Sequence, residues 1–159
     1  MLEDVVLKIK SILQTNLPTK LDTIETQRGD GIVLDDIASF FISRFQKDDA
    51  FARPAIFVIG EDTPIIDFRL GTAREIEAKH IIGIILIAED ADDDVLQKKM
   101  WRYANAVERT IGDNYTLDDT VVMCDVNRLK YESVQDYIPS STFVRAAVLR
   151  VAVTERYIV

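Results

Sequence analysis

The sequence predicts an α+β fold: a mainly antiparallel sheet of about four to five strands packed against an N-terminal helix and a central helix. Three observations carry this. Apolar residues recur at helical spacing near the N-terminus and again from Leu96 to Ile111. Short β-branched runs occupy much of the remainder, among them AIFVIG at Ala55–Gly60 and IIGIILIA at Ile81–Ala88. The 159 residues, with four prolines and six glycines, suffice for one hydrophobic core and leave little room for linkers, so residues 1–159 are expected to form one folded domain.

In the first segment Leu2, Val5, Val6, Ile9, Ile12 and Leu13 form one apolar stripe, with Glu3, Asp4, Lys8 and Lys10 outside it. Asn16 and Pro18 are expected to bend this helix, because proline lacks an N–H and crowds the preceding turn; Leu17, Leu21 and Ile24 then continue as a second short piece. QRGDG at Gln27–Gly31 should end it. Ile37–Phe45 has helical spacing but is short enough to be irregular, and its type stays open. Ala55–Gly60 and Thr63–Leu70 read as two strands of a hairpin about a tight turn at Gly60, Glu61 and Asp62. Glu75–Ala88 ends in the longest apolar run and is expected at the centre of the sheet, buried on both faces.

The acids of EDADDD at Glu89–Asp94 sit where a helix N-terminus exposes unpaired N–H groups, and Gly112 is the expected stop of the helix that follows. Two strands close the chain, Thr120–Val126 and Phe143–Tyr157, joined by a polar stretch with Asp136, Pro139, Ser140 and Ser141. A strand from Phe143 to Tyr157 would reach about 50 Å, so it either bends at a bulge or extends to meet another chain.

Chemistry is scarce. A net charge of -8 repels phosphates; Lys98, Lys99 and Arg102 amount to one face of one helix, which excludes a broad nucleic-acid grip. Cys124 is the single cysteine, so no internal disulfide or thiolate cage can form, and a reducing compartment is expected. The N-terminal MLEDVVLKIK has acids where an export signal carries bases, and no apolar run approaches the roughly 20 residues of a membrane span, so no membrane partner is expected. His80, the one histidine, reads as a strand-end residue with a hydrogen bond; no serine lies in a nucleophile elbow. EDADDD lacks the glycine and terminal glutamate of a calcium loop, and Gly29–Gly31 and Gly71 fit no phosphate loop. No catalytic residue, metal or cofactor is expected, and Arg28–Asp30 is read as a turn.

Trp101 lies about 100° from the centre of its helix's apolar stripe, flanked by Gln97, Asn105 and Glu108. It is either an interface residue or covered by a neighbouring loop. Phe40, Phe41 and Phe45 pose the same choice, with core packing preferred.

Three features together resemble the tail terminator and neck proteins of tailed bacteriophages. These are an N-terminal helix with an early proline (Pro18), the strand Pro54–Val58, and an acidic turn leading into DDVLQKKMWRYANAVERTI, where Leu96–Val107 carries the pattern. Tyr131 before a polar connector, then Val148–Val153, is also similar. The resemblance implies a structural virion protein of the tail or neck, assembled in the host cytoplasm. It implies a homo-oligomeric ring, commonly a hexamer, that ends tube growth at the head-proximal end of the tail and joins tail to head. Its partners would be other copies of the chain, the tail tube protein and neck or connector proteins, while DNA passes through without specific binding. A closing ring needs two unlike complementary patches; Trp101, Arg102, Phe40, Phe41 and Tyr157 are the candidates for subunit contact. The alternatives are a head-completion adaptor, or a small cytosolic ligand-binding or regulatory domain with a pocket beneath Phe40 and Phe45.

Overall fold

Helix α1, Leu2–Arg28, forms because one stripe of apolar side chains runs its whole length; Val5, Ile9, Ile12, Leu13, Leu17, Leu21 and Ile24 are all buried. The expected second piece is part of the same helix, which continues through Pro18 without a break. Burial of Leu13, Leu17 and Leu21 on either side of the proline outweighs its local cost of about 3 kcal/mol. Gly29 ends the helix in a left-handed conformation, its N–H donating to the Glu25 carbonyl oxygen at 3.0 Å. The computed structural model describes residues 1–44, 50–70, 73–135 and 140–158. Phe45, Gly71, Asp136 and Pro139, singled out above, lie outside them.

The remaining elements are β1 Ser39–Phe41, β2 Ala55–Asp62, β3 Ile65–Leu70, β4 Ala73–Asp90, helix α2 Asp93–Asp113, β5 Met123–Ser133 and β6 Phe143–Ile158. The fold is α+β, two helices on a mixed sheet of six strands in the order β1-β2-β4-β6-β5, with β3 also on β4. The open segment before residue 45 contributes β1, which runs parallel to β2; among the described residues the other pairings are antiparallel.

β2 and β3 are not a hairpin. β2 continues through Asp62, past the proposed turn, and pairs with Ile81–Ile87 of β4, while β3 pairs with Ala73–Ala78. The two lie end to end along one edge of β4; the register shifts within β2, between Gly60 and Asp62, and β3 keeps the shifted register. β4 is central, as its apolar run requires: Ile82, Ile84 and Leu86 face the helices, Ile85 and Ile87 the opposite side. β6 pairs with β4 over its full length, from Asp90↔Phe143 to Glu75↔Ile158.

α2 begins at Asp92, whose carboxylate accepts from the N–H groups of Asp94 and Val95, as the acidic run predicts. It runs one residue past Gly112. The two helices lie antiparallel on the same sheet face, joined by the ion pair of Lys20 with Asp113, while Lys8 pairs at 2.6 Å with Asp118 in the turn after α2. Their apolar stripes and the sheet enclose the main core; Phe41, Phe51 and Phe57 form a small second core on the other face, Phe41 stacked on Phe57 at 4.9 Å.

After α2 the chain turns through Leu117, Asp118 and Asp119, all left-handed, at φ 47°, 57° and 63°. Such conformations cost about 1 kcal/mol or more per non-glycine residue. Burial of Leu117 and the Lys8–Asp118 pair hold the turn. Asp119 is exposed and anchors neither, so Asp119→Gly is expected to stabilise the protein by about 0.5 to 1 kcal/mol. A thermal melt that is unchanged or lower would show that the side chain offsets the strain.

Candidate assembly surfaces

Three of the five residues proposed for subunit contact are engaged within the chain. Arg102 is 9% exposed and grips Asp30 with both guanidinium nitrogens, at 3.0 and 2.5 Å. Hydrogen bonding from Arg102 holds the Asp30 carboxyl down at about 2 and raises the guanidinium in turn. The pair fastens the loop after α1 to α2. Phe40 packs against the main core and Phe41 into the second, because neighbouring strand residues point to opposite faces. The cavity beside Phe40, walled by Leu17, Pro18, Leu21 and Ile37, measures about 60 Å³, far below the roughly 300 Å³ of a metabolite pocket. Trp101 at 52% and Tyr157 at 44% remain exposed.

Tyr157 belongs to a larger feature. Beyond His80 the sheet narrows to an arm of β3, the start of β4 and the end of β6, because β5 reaches no further than Thr154. α1 starts at the root of this arm, where Glu155 accepts from the Met1 amino group at 3.2 Å. The register puts Ile65, Ile76 and Tyr157 on the helix side of the arm, and Ile66 and Ile158 on the other. No described helix covers them: Ile65 is 63% exposed, Ile66 49% and Ile158 79%. A hollow of about 430 Å³ opens at the root between Leu2, Ile65, Ala78 and Tyr157.

His80 is buried at the floor of that hollow. Thr63 Oγ1 lies 3.0 Å from its Nδ1, and Glu155 Oε2 lies 2.9 Å from its Nε2. Burial opposes ionisation of Glu155, yet hydrogen bonds from His80 and the Met1 amino group outweigh it and hold the carboxyl below its ordinary range. The order hydroxyl–imidazole–carboxylate resembles a nucleophilic triad. However, the Thr63 N–H is spent on the Asp62 carboxylate at 2.8 Å, and Glu155 is shared with a fixed ammonium. The group ties β4, β6, the link into β3 and the start of α1 together. Among the described residues no set of His, Cys, Asp and Glu is arranged to hold a metal ion, and no helix is long and apolar enough to cross a membrane.

Trp101 borders a groove of about 450 Å³ between the end of α1 and the outer face of α2, shared with Arg28, Lys98, Arg102 and Arg109. Lys98, Arg102 and Arg109 fall on one side of α2 by helical spacing, a signal present in the sequence, although Lys99 turns away to Asp90 at 2.8 Å. The addition of Arg28 depends on the angle between two helices, which spacing alone does not reveal. On the opposite sheet face Glu61 lies over Gly83, where a Cβ would stand 2.8 Å from its carboxylate oxygen, and pairs with Arg150 at 3.3 Å. That face is a field of mixed charge, extended by Arg156 with Glu77 at 2.8 Å.

No protein-family model matches the chain. No curated protein matches it either. Among solved structures it is similar to a chain in the virion of a native gene transfer agent particle, at 15% identity and a TM-score of 0.41, over 91% of this chain and 95% of that one. A likeness this shallow carries no functional weight.

Proposed function

We propose that the protein is a structural virion component that forms a homo-oligomeric ring at the head-proximal end of a phage tail, where it ends the tube and joins tail to head. One observation supports this above the others: the apolar helix-side face of the sheet outruns the helices that cover it. Ile65 and Tyr157 stand open around a hollow with room for side chains of another chain. An apolar strand surface left bare is an aggregation hazard unless a partner covers it. The sequence resemblance to tail terminators supplies the kind of partner, further copies of the same chain, with the tail tube and neck proteins above and below. A net charge of -8 suits a ring through which DNA slides without sticking.

The arm and the Trp101 groove are unlike surfaces, as a head-to-tail ring requires. Negative-stain imaging with native mass measurement of the purified protein is expected to show a closed ring of identical copies. A chain that stays monomeric alone and also fails to bind assembled tail tubes would remove the reading.

A further inference from the structure

In a chain of net charge -8 the groove between α1 and α2 is an anomaly. Four of its lining residues are cations, and no carboxylate among the described residues lines it. Arg102 is neutralised by Asp30. Arg28, Lys98 and Arg109 are exposed and have no ion pair or side-chain hydrogen bond among the described residues, which leaves three positive charges without a close partner there, beside a half-exposed tryptophan. Asp94 and Glu108 sit at the two ends of the same α2 surface and confine the positive region to the groove.

A matching surface exists on the same chain. Several of its carboxylates are already engaged: Asp118 by Lys8, Asp93 by Arg145, Glu61 by Arg150 and Glu77 by Arg156. Asp35 and Asp36 are both exposed, and among the described residues they are the one adjacent pair of carboxylates in which neither side chain has a hydrogen bond or ion partner. Their loop is held in place from behind, since Tyr103 donates to the Asp35 carbonyl oxygen at 2.8 Å and Glu25 accepts from the Leu34 N–H. Asp36 borders the small cavity beside Phe40 on the β1 side of α1, and shares no lining residue with the groove on the α2 side.

We propose that the groove of one copy receives the Asp35–Asp36 loop of the next, a head-to-tail contact set by charge. The two surfaces differ, so the contact repeats around a ring instead of closing a pair. This rests on the ring reading above and names one of its contacts. Trp101 supplies apolar area at the groove's edge, and the rigid loop loses little freedom on docking.

Charge exchange between copies tests it. Lys98→Glu/Arg109→Glu makes the groove acidic, and Asp35→Lys/Asp36→Lys makes the loop basic; all four positions are exposed, and thermal melts check that both variants fold. Each variant alone is expected to lose self-association by about a hundredfold or more at low salt, followed by sedimentation and by the emission of Trp101, the sole tryptophan. The two variants mixed, or all four changes in one chain, are expected to restore it, because each reversed groove then meets a reversed loop. Wild-type association should weaken as salt rises, within the range where screening lengths fall below about 10 Å. A wild-type ring that tolerates both variants overturns this contact and leaves the ring reading standing. A wild-type chain that is monomeric at low salt overturns this contact, and failure to bind assembled tail tubes as well overturns the ring reading. Quenching of Trp101 by a single-stranded oligonucleotide, lost in the groove variant, would assign the groove to nucleic acid and overturn the proposal.

Discussion

Leu17→Ala is expected to lower the free energy of unfolding by about 3 kcal/mol. Leu17 is fully buried, one residue before Pro18, and belongs to the core that α1 and α2 close over the sheet. Truncation removes three carbons' worth of transfer free energy and leaves a void that cannot collapse, because the helix is pinned by Lys20 to Asp113 on one side and by the Glu25 carboxylate to the Leu34 N–H on the other. The control is Leu7→Ala, at 42% exposure on the same helix, which should cost less than about 0.5 kcal/mol. Denaturant melts of the two variants decide the matter. Similar losses would mean that Pro18 breaks the helix and releases Leu17 from the core. The size of the difference also accounts for a 27-residue helix with proline in its interior: packing of the stripe outweighs one missing hydrogen bond.

What the sequence disclosed followed the period of its apolar residues. The stripe from Leu2 to Ile24, the run at Ile81–Ala88 and the spacing from Leu96 to Ile111 each gave the right element in the right place. The failures occurred where tertiary contact overrode a local signal. Gly60, Glu61 and Asp62 have turn chemistry, but β4 is long enough to accept β2 and β3 in succession, so pairing carried β2 through the turn. Pro18 was overruled by the core. Leu117, Asp118 and Asp119 adopt left-handed angles with no glycine to announce them, and the burial of Leu117 with the Lys8–Asp118 pair holds the turn.

The candidate surfaces were half legible. Helical geometry placed Trp101 at the edge of its stripe, and it is exposed. The same reasoning could not separate Arg102 from Lys98 and Arg109, because Asp30 lies 72 residues away and arrives through the loop after α1. Phe40 and Phe41 look alike in sequence, yet strand alternation sends them into two different cores. The length of the last strand pointed to the arm. Ile65 and Ile66 read as apolar residues of a partly exposed strand, but Ile65 and Ile76 were not among the contact candidates, because their place on the uncovered helix side depends on where α1 begins above the sheet.

Removing the apolar face of the arm with Ile65→Ser/Tyr157→Ser is expected to reduce ring assembly by about a hundredfold or more while changing unfolding stability by less than about 1 kcal/mol. The two effects separate because both side chains are exposed in the isolated subunit, Ile65 at 63% and Tyr157 at 44%, so the folded monomer loses little by their truncation. In a ring they would be buried by the neighbouring copy, and large apolar side chains enclosed at the centre of a contact dominate its affinity. The pairing that builds the arm, Ile65 with Ala78 and Ile76 with Tyr157, is made by backbone groups and survives both changes. Salt then distinguishes the two contacts. An apolar arm contact keeps its strength as ionic strength rises, whereas the charged groove weakens, so the arm variant should lose the salt-resistant part of assembly. Sedimentation of wild type and variant at low and high salt gives the answer. If the variant forms rings as readily as the wild type, the bare sheet face is not what holds the copies together.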